Sequence, residues 1–121
     1  MRKIKFRCWD IVNKKMRSDK DLWDITYNEI FIHTPDQRAL NIMQYTGLKD
    51  INGTEIYEGD IIKIQSMVHD NYPVYVGKVV FENGAYMCNS KWNTHWIGDM
   101  FLSKEILGNI YENPELLEED R

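Results

Sequence analysis

Two Asn-Gly pairs, Asn52-Gly53 and Asn83-Gly84, stand between runs of β-branched and aromatic residues. Asn-Gly is a favoured type I′ pair, because both central residues of that turn need positive φ. The chain is therefore expected to reverse at both places, with strands on either side. Ile61-Ile62-Lys63-Ile64-Gln65 leaves the tight turn Glu58-Gly59-Asp60 as a clear strand. The stretch 74–81 (Val-Tyr-Val-Gly-Lys-Val-Val-Phe) has the longest β-propensity run and returns after Gly84 as Ala85-Tyr86-Met87-Cys88.

The same alternation marks the start of the chain. Lys3-Ile4-Lys5-Phe6-Arg7-Cys8-Trp9 predicts a strand whose buried face carries Ile4, Phe6 and Cys8. The stretch 10–20 reads as a polar connection that turns near Asn13. Leu22 to Tyr27 and Ile30 to His33 read as a hairpin about Asn28-Glu29, with a loop at Thr34-Pro35-Asp36-Gln37. Helix signals are few. Ser103-Lys104-Glu105-Ile106-Leu107 reads as one turn capped by Ser103 and stopped by Gly108. Asn113-Pro114-Glu115 opens a short terminal helix, with Asn at the cap and Pro at the first helical position. The expected fold is mainly β: a single domain over 1–121. It holds an SH3-like small barrel at about 43–111, an N-terminal strand and hairpin, and one or two short helices. The alternative is an open antiparallel α+β sheet with the terminal helix across one face.

A chain of 121 residues suits one domain and can bury a core without disulfide staples. No apolar run reaches the ~20 residues of a membrane span. The start Met1-Arg2-Lys3 has no apolar stretch behind it, so no secretory signal is read and an intracellular, cytoplasmic setting is expected. In that setting Cys8 and Cys88 are expected as reduced thiols. The net charge of −4 argues mildly against non-specific nucleic-acid binding. It is unevenly spread: residues 1–20 are rich in Lys and Arg, and residues 99–121 in Asp and Glu.

Catalytic motifs are missing. His33, His69, His95, Cys8 and Cys88 fall at no metal-ligand spacing, and no metal or other cofactor is expected. Ser18, Ser66, Ser90 and Ser103 lie in polar loops or at a cap, without a nucleophile elbow. The glycines form no phosphate-binding loop. Glu58 and Asp60 flank a glycine at a strand entry, where carboxylates support turns by accepting local backbone donors. The candidate contact residues are Lys91, Trp92, His95 and Trp96, an aromatic and basic loop of a kind that stacks bases or sugars. The competing reading is a loop that closes one end of the core with its Trp rings.

The stretch Met43-Gln44-Tyr45-Thr46-Gly47-Leu48-Lys49-Asp50, then Asn52-Gly53, then Glu55-Ile56-Tyr57-Glu58-Gly59-Asp60, resembles the signature of the YopX family of small phage and prophage proteins. The opening Ile4-Lys5-Phe6-Arg7-Cys8-Trp9-Asp10 is similar to that family's start. Leu107-Gly108-Asn109-Ile110-Tyr111-Glu112-Asn113-Pro114-Glu115-Leu116-Leu117 is similar to its end. The departures at Cys8 and Leu107 are conservative. The resemblance implies a phage or prophage protein inside a bacterial host, with oligomeric assembly suggested and no catalytic residues to carry over. Its motif residues also have a physical meaning. Gly47, Asn52, Gly53 and Gly59 are turn-formers, and Tyr45, Leu48, Ile56 and Tyr57 are core candidates, so the signature reads as fold specification.

The expected function is a non-catalytic binding or interaction module that acts on a host or phage protein and assembles as a homo-oligomer. The alternative is a nucleic-acid-associated protein that uses the basic N-terminal segment and the Trp92/Trp96 loop. No membrane partner is expected.

Overall fold

The computed structural model describes residues 4–11, 13–18, 40–69, 71–91 and 93–117. The hairpin expected over 22–33, the loop 34–37, and Lys3, Trp92, Glu118 and Glu119 lie outside them. The fold is mainly β, a curled half-barrel sheet and a second antiparallel sheet, as the alternating patterns require. The chain divides into two compact units, Met1–Tyr45 and Thr46–Arg121.

In the first unit β1 (Phe6–Asp10) pairs antiparallel with β2 (Lys15–Arg17) and with the first part of β3 (Leu40–Lys49). The β2 strand was hidden in the polar connection. Its turn is organised by the buried Asp10. That carboxylate accepts Asn13 N at 3.0 Å and Asn13 Nδ2 at 2.8 Å, and meets Arg17 Nη1 at 3.4 Å. Lys14 takes a positive φ of 54° there. Cys8 is buried as expected, but Ile4 and Phe6 are not, at 66% and 39% exposed. Alternation places Phe6 on the side of Cys8 and Asp10. It does not say how far along the strand that side is covered.

The second unit holds the end of β3, then β4 (Glu55–Tyr57), β5 (Asp60–Ser66), β6 (Tyr75–Glu82), β7 (Ala85–Ser90), β8 (Thr94–Trp96) and β9 (Leu102–Asn109). Its five-stranded antiparallel sheet has the order β8-β7-β6-β5-β9. A register shift between Ile61 and Ile62 marks a bulge against β9, which bends a strand and strengthens its twist. The core joins Ile56, Ile62, Ile64, Val79, Cys88, Ile97 and Leu102, with Leu48, Tyr75, Tyr86 and Ile106 against it. Burying side chains of this size contributes roughly 1.5–3 kcal/mol each.

Residues 103–107 correct the helical expectation: they belong to β9. Glu105 lies directly opposite Lys63 on β5, and their side chains meet at 3.1 Å. The reason is long-range. The buried Asp50 carboxylate accepts Ile106 N at 3.1 Å, and Ile51 N donates to Lys104 O at 2.8 Å. Loop 50–54 therefore covers backbone groups on the outward edge of β9. A five-residue helical signal is weak beside such pairing, since one turn is costly to nucleate.

The first Asn-Gly turn is also corrected. Gly53 has φ +82°, but Asn52 keeps a negative φ, so the turn is not type I′. Gly53 N donates to Asp50 O at 3.0 Å, and Asp50 Oδ1 accepts both Asn52 N and Thr54 N at 2.9 Å. This is a type I turn closed by a left-handed glycine, built on the Asp50 side chain. At the second pair, Asn83 and Gly84 have φ of 52° and 83° between the paired residues Glu82 and Ala85, as type I′ requires.

The terminal helix is a short 3₁₀ turn, Pro114–Leu117, in contact with β6. Asn113 precedes it, but its Oδ1 accepts Asn109 N at 3.2 Å instead of capping the turn. Asn109 Oδ1 in turn accepts Tyr111 N and Glu112 N at 3.0 and 2.9 Å. The two asparagine side chains of the Gly-Asn-Ile-Tyr-Glu-Asn stretch thus fix the backbone of 109, 111 and 112.

Candidate functional site

The connection from β7 to β8 is pinned by one hydroxyl. Ser90 Oγ donates to Asn93 O at 2.7 Å and accepts Asn93 N at 3.0 Å. Lys91 stands exposed on this turn, and Trp92 lies outside the described residues. His95 and Trp96 follow as neighbours on β8, so their side chains point to opposite faces of the sheet. The sequence grouped them in one loop, but the strand separates them.

His95 faces inward, opposite the buried Cys88. Its ring lies 4.4 Å from that of Tyr75 and 6.4 Å from that of Tyr72. The Tyr72 hydroxyl is 3.4 Å from Nδ1. Burial holds the His95 pKa below its ordinary value, so the ring is neutral at neutral pH. Burial also pushes the Cys88 thiol up to about 12, and the thiol is a poor nucleophile there. This inward face is an aromatic part of the core.

Trp96 faces outward and is 57% exposed. Its indole lies over Gly98: a Cβ on that residue would come within 2.5 Å of Cε2 and Cζ2. The absence of a side chain at Gly98 makes room for the ring. Beside it runs an open groove of about 580 Å³ lined by Glu82, Asn83, Ala85, Met87, Thr94 and Trp96. Met87 lies opposite Trp96 on one side and Val80 on the other, so an apolar row crosses the outer face.

A second surface comes from two loops that the sequence did not bring together. Met67 N donates to Phe101 O at 2.8 Å, which extends the β5–β9 pairing past its last strand pair, Ser66–Leu102. Met67, Val68, Met100 and Phe101 are all exposed there, Met100 to 75%. Val68 and Phe101 line a cleft of about 330 Å³ together with Ser66, His69, Tyr72 and Asp99. Ser, His and Asp thus share one cleft, but the side-chain oxygens of Ser66 and Asp99 support the loops. Ser66 Oγ accepts Val68 N and His69 N at 3.1 and 2.9 Å, and Asp99 Oδ1 accepts Phe101 N at 2.9 Å. Lys104 Nζ ties the second loop by donating to Asp99 O and Leu102 O at 3.2 and 3.0 Å. Burial lowers the Lys104 pKa, and the Asp99 carboxylate partly restores it. The signal for this surface was the Met67-Val68 pair inside an otherwise polar loop.

At the signature acids the chemistry is structural. Asp60 Oδ2 accepts Tyr57 N at 2.8 Å. Burial raises the Asp50 pKa, but backbone donors from Ile106, Thr54 and Asn52 outweigh it and leave the group below its ordinary value. Among the described residues no cluster of His, Cys, Asp and Glu is placed to hold a metal.

A family model of the YopX protein matches residues 5–118 and so runs through both units. This chain belongs to the YopX family. Two solved structures share its fold. Protein EF1440 from Enterococcus faecalis is 25% identical, with a TM-score of 0.61 over 97% of this chain and 99% of that one. YopX from Bacillus subtilis is 22% identical, with a TM-score of 0.61 over 97% and 98%. No curated protein matches. The YopX signature falls on Asp50, Gly53, Gly59 and Asp60, which set turns here, and on Gly47, which corrects the turn expected of it: it lies inside β3, where its positive φ of 89° interrupts the regular strand backbone. Among the described residues no helix is long and apolar enough to cross a membrane.

Proposed function

We propose that this chain is a non-catalytic interaction module, phage or prophage encoded, that works in the bacterial cytoplasm as a homo-oligomer. The observation that carries this reading is the apolar surface of Met67, Val68, Met100 and Phe101, held in place by the Met67–Phe101 hydrogen bond. Exposed apolar side chains gathered on rigid loops mark contact surfaces. The polar groups between them serve the loops, which supports contact over catalysis. The curl of short antiparallel strands supports an SH3-like description of the second unit. Static light scattering at low and about 1 M salt tests the assembly, because screening then acts within ~3 Å. An oligomer indifferent to salt, and dissociated by Phe101→Ser, is the expected result. A monomer in both buffers overturns the proposal. An oligomer that falls apart in salt assigns the contact to the charged ends.

A further inference from the structure

The groove beside Trp96 differs from the apolar loops in how its polar groups are used. Among the described residues, the side chains of Glu82, Asn83 and Thr94 make no hydrogen bond inside the protein. They surround an indole that Gly98 supports from beneath and that is more than half exposed. Asn83 is presented by the type I′ turn, whose two positive φ angles fix its position. The groove thus offers a flat aromatic face, a thioether at Met87, and a carboxylate, an amide and a hydroxyl free to bond a ligand.

Charge decides what fits. None of the described residues that line the groove is cationic, and Glu82 is an acid. A phosphate backbone would meet repulsion there and no counter-charge. A purely apolar peptide would bury three polar groups without offering them a partner. A neutral ring with one apolar face and a rim of hydroxyls meets neither difficulty. We propose that the Trp96 groove binds a neutral pyranose, its C–H face stacked on the indole and its hydroxyls bonded by Glu82, Asn83 and Thr94. This rests on residues other than those of the apolar loops, so either reading can fail alone.

The test is ¹H–¹⁵N NMR of the full chain, titrated with chitotriose, maltotriose and the oligonucleotide dT10. The Trp96 indole N–H is assigned by its loss in Trp96→Phe. At least one trisaccharide is expected to shift the Trp96 indole and the Asn83 side-chain amide saturably, with millimolar affinity. Trp96→Ala, at an exposed position, is expected to fold and to weaken binding at least about tenfold, a loss of ~1.4 kcal/mol. Glu82→Gln checks the carboxylate independently and should weaken binding while leaving the indole shift in place. No shift with either trisaccharide overturns the proposal, as do shifts unaltered in Trp96→Ala. Saturable shifts with dT10 at the same resonances overturn it in favour of a nucleic-acid surface.

Discussion

The two Asn-Gly turns share a dipeptide and differ in what holds them. At 83–84 the backbone alone does so: both residues are left-handed and the strands close directly around them. At 52–53 only the glycine is left-handed, and the Asp50 carboxylate organises the turn through three backbone donors, one of them 56 residues away on β9. A dipeptide states where a chain reverses. The acceptor two residues earlier decides how.

Asp50→Ala is the sharpest way to break this difference. It removes a charged acceptor from three part-buried N–H bonds on two elements and should cost about 2–4 kcal/mol in urea unfolding. Asp50→Asn keeps an acceptor and should cost about half of that. Next come the glycines. Gly53→Val and Gly84→Val should each lose more than about 1 kcal/mol, because a β-branched residue resists positive φ at either turn. Both sites are open, with nothing within 4 Å of an added Cβ, so the loss measures backbone conformation alone. Equal stability of either variant would show that its turn tolerates negative φ.

The asparagines sharpen the comparison at smaller amplitude. Asn83→Ala should cost roughly 0.5–1 kcal/mol, since Ala enters the left-handed region less readily than Asn. Asn52→Ala should stay within about 0.5 kcal/mol, because its φ is ordinary. Thermal unfolding of the pair checks both, and equal losses would contradict the two assignments.

Acid should weaken only the first turn. The Asp50 pKa is lowered in the folded chain, so its stabilisation is complete above the unfolded carboxylate value of about 3.9 and is lost as pH falls through the folded value. Amide protection at Asn52, Thr54 and Ile106, taken relative to the intrinsic exchange rate at each pH, should therefore fall at low pH in the native chain, with no matching change at 82–85. Cys88 acts at the other end. With its folded pKa at about 12, stability should decline as pH rises from the unfolded thiol value of ~8.5 towards 12. Cys88→Ala should remove that slope, read as the change in urea midpoint between pH 8 and 10.

The central strands were legible because Ile62, Ile64, Val79 and Cys88 follow period-two alternation between turn residues. Period-two reasoning failed where a single buried carboxylate decides. β2 formed because Asp10 collects a turn that looks like a polar connection. β9 formed because Asp50 and β5 claim a segment with a cap and a stop. The site was legible as residues and not as geometry. Trp96 and His95 were both singled out, yet one strand step sends Trp96 to the groove and His95 to the core. Met67 and Phe101 are 34 positions apart, and only the β5–β9 register joins them.

The covering of β9 also limits how copies of this protein can add to one another. A bare strand edge is a template on which a neighbouring chain can continue the ladder. At Lys104 and Ile106 that template is occupied by Ile51 and Asp50 of the same molecule. The opposite end of this sheet is β8, only 3 residues long. Growth by strand addition at β9 must first eject loop 50–54, so contacts between copies here are left to side-chain surfaces, which can saturate at a finite size. Removing Asp50 would turn a self-limiting surface into one that propagates.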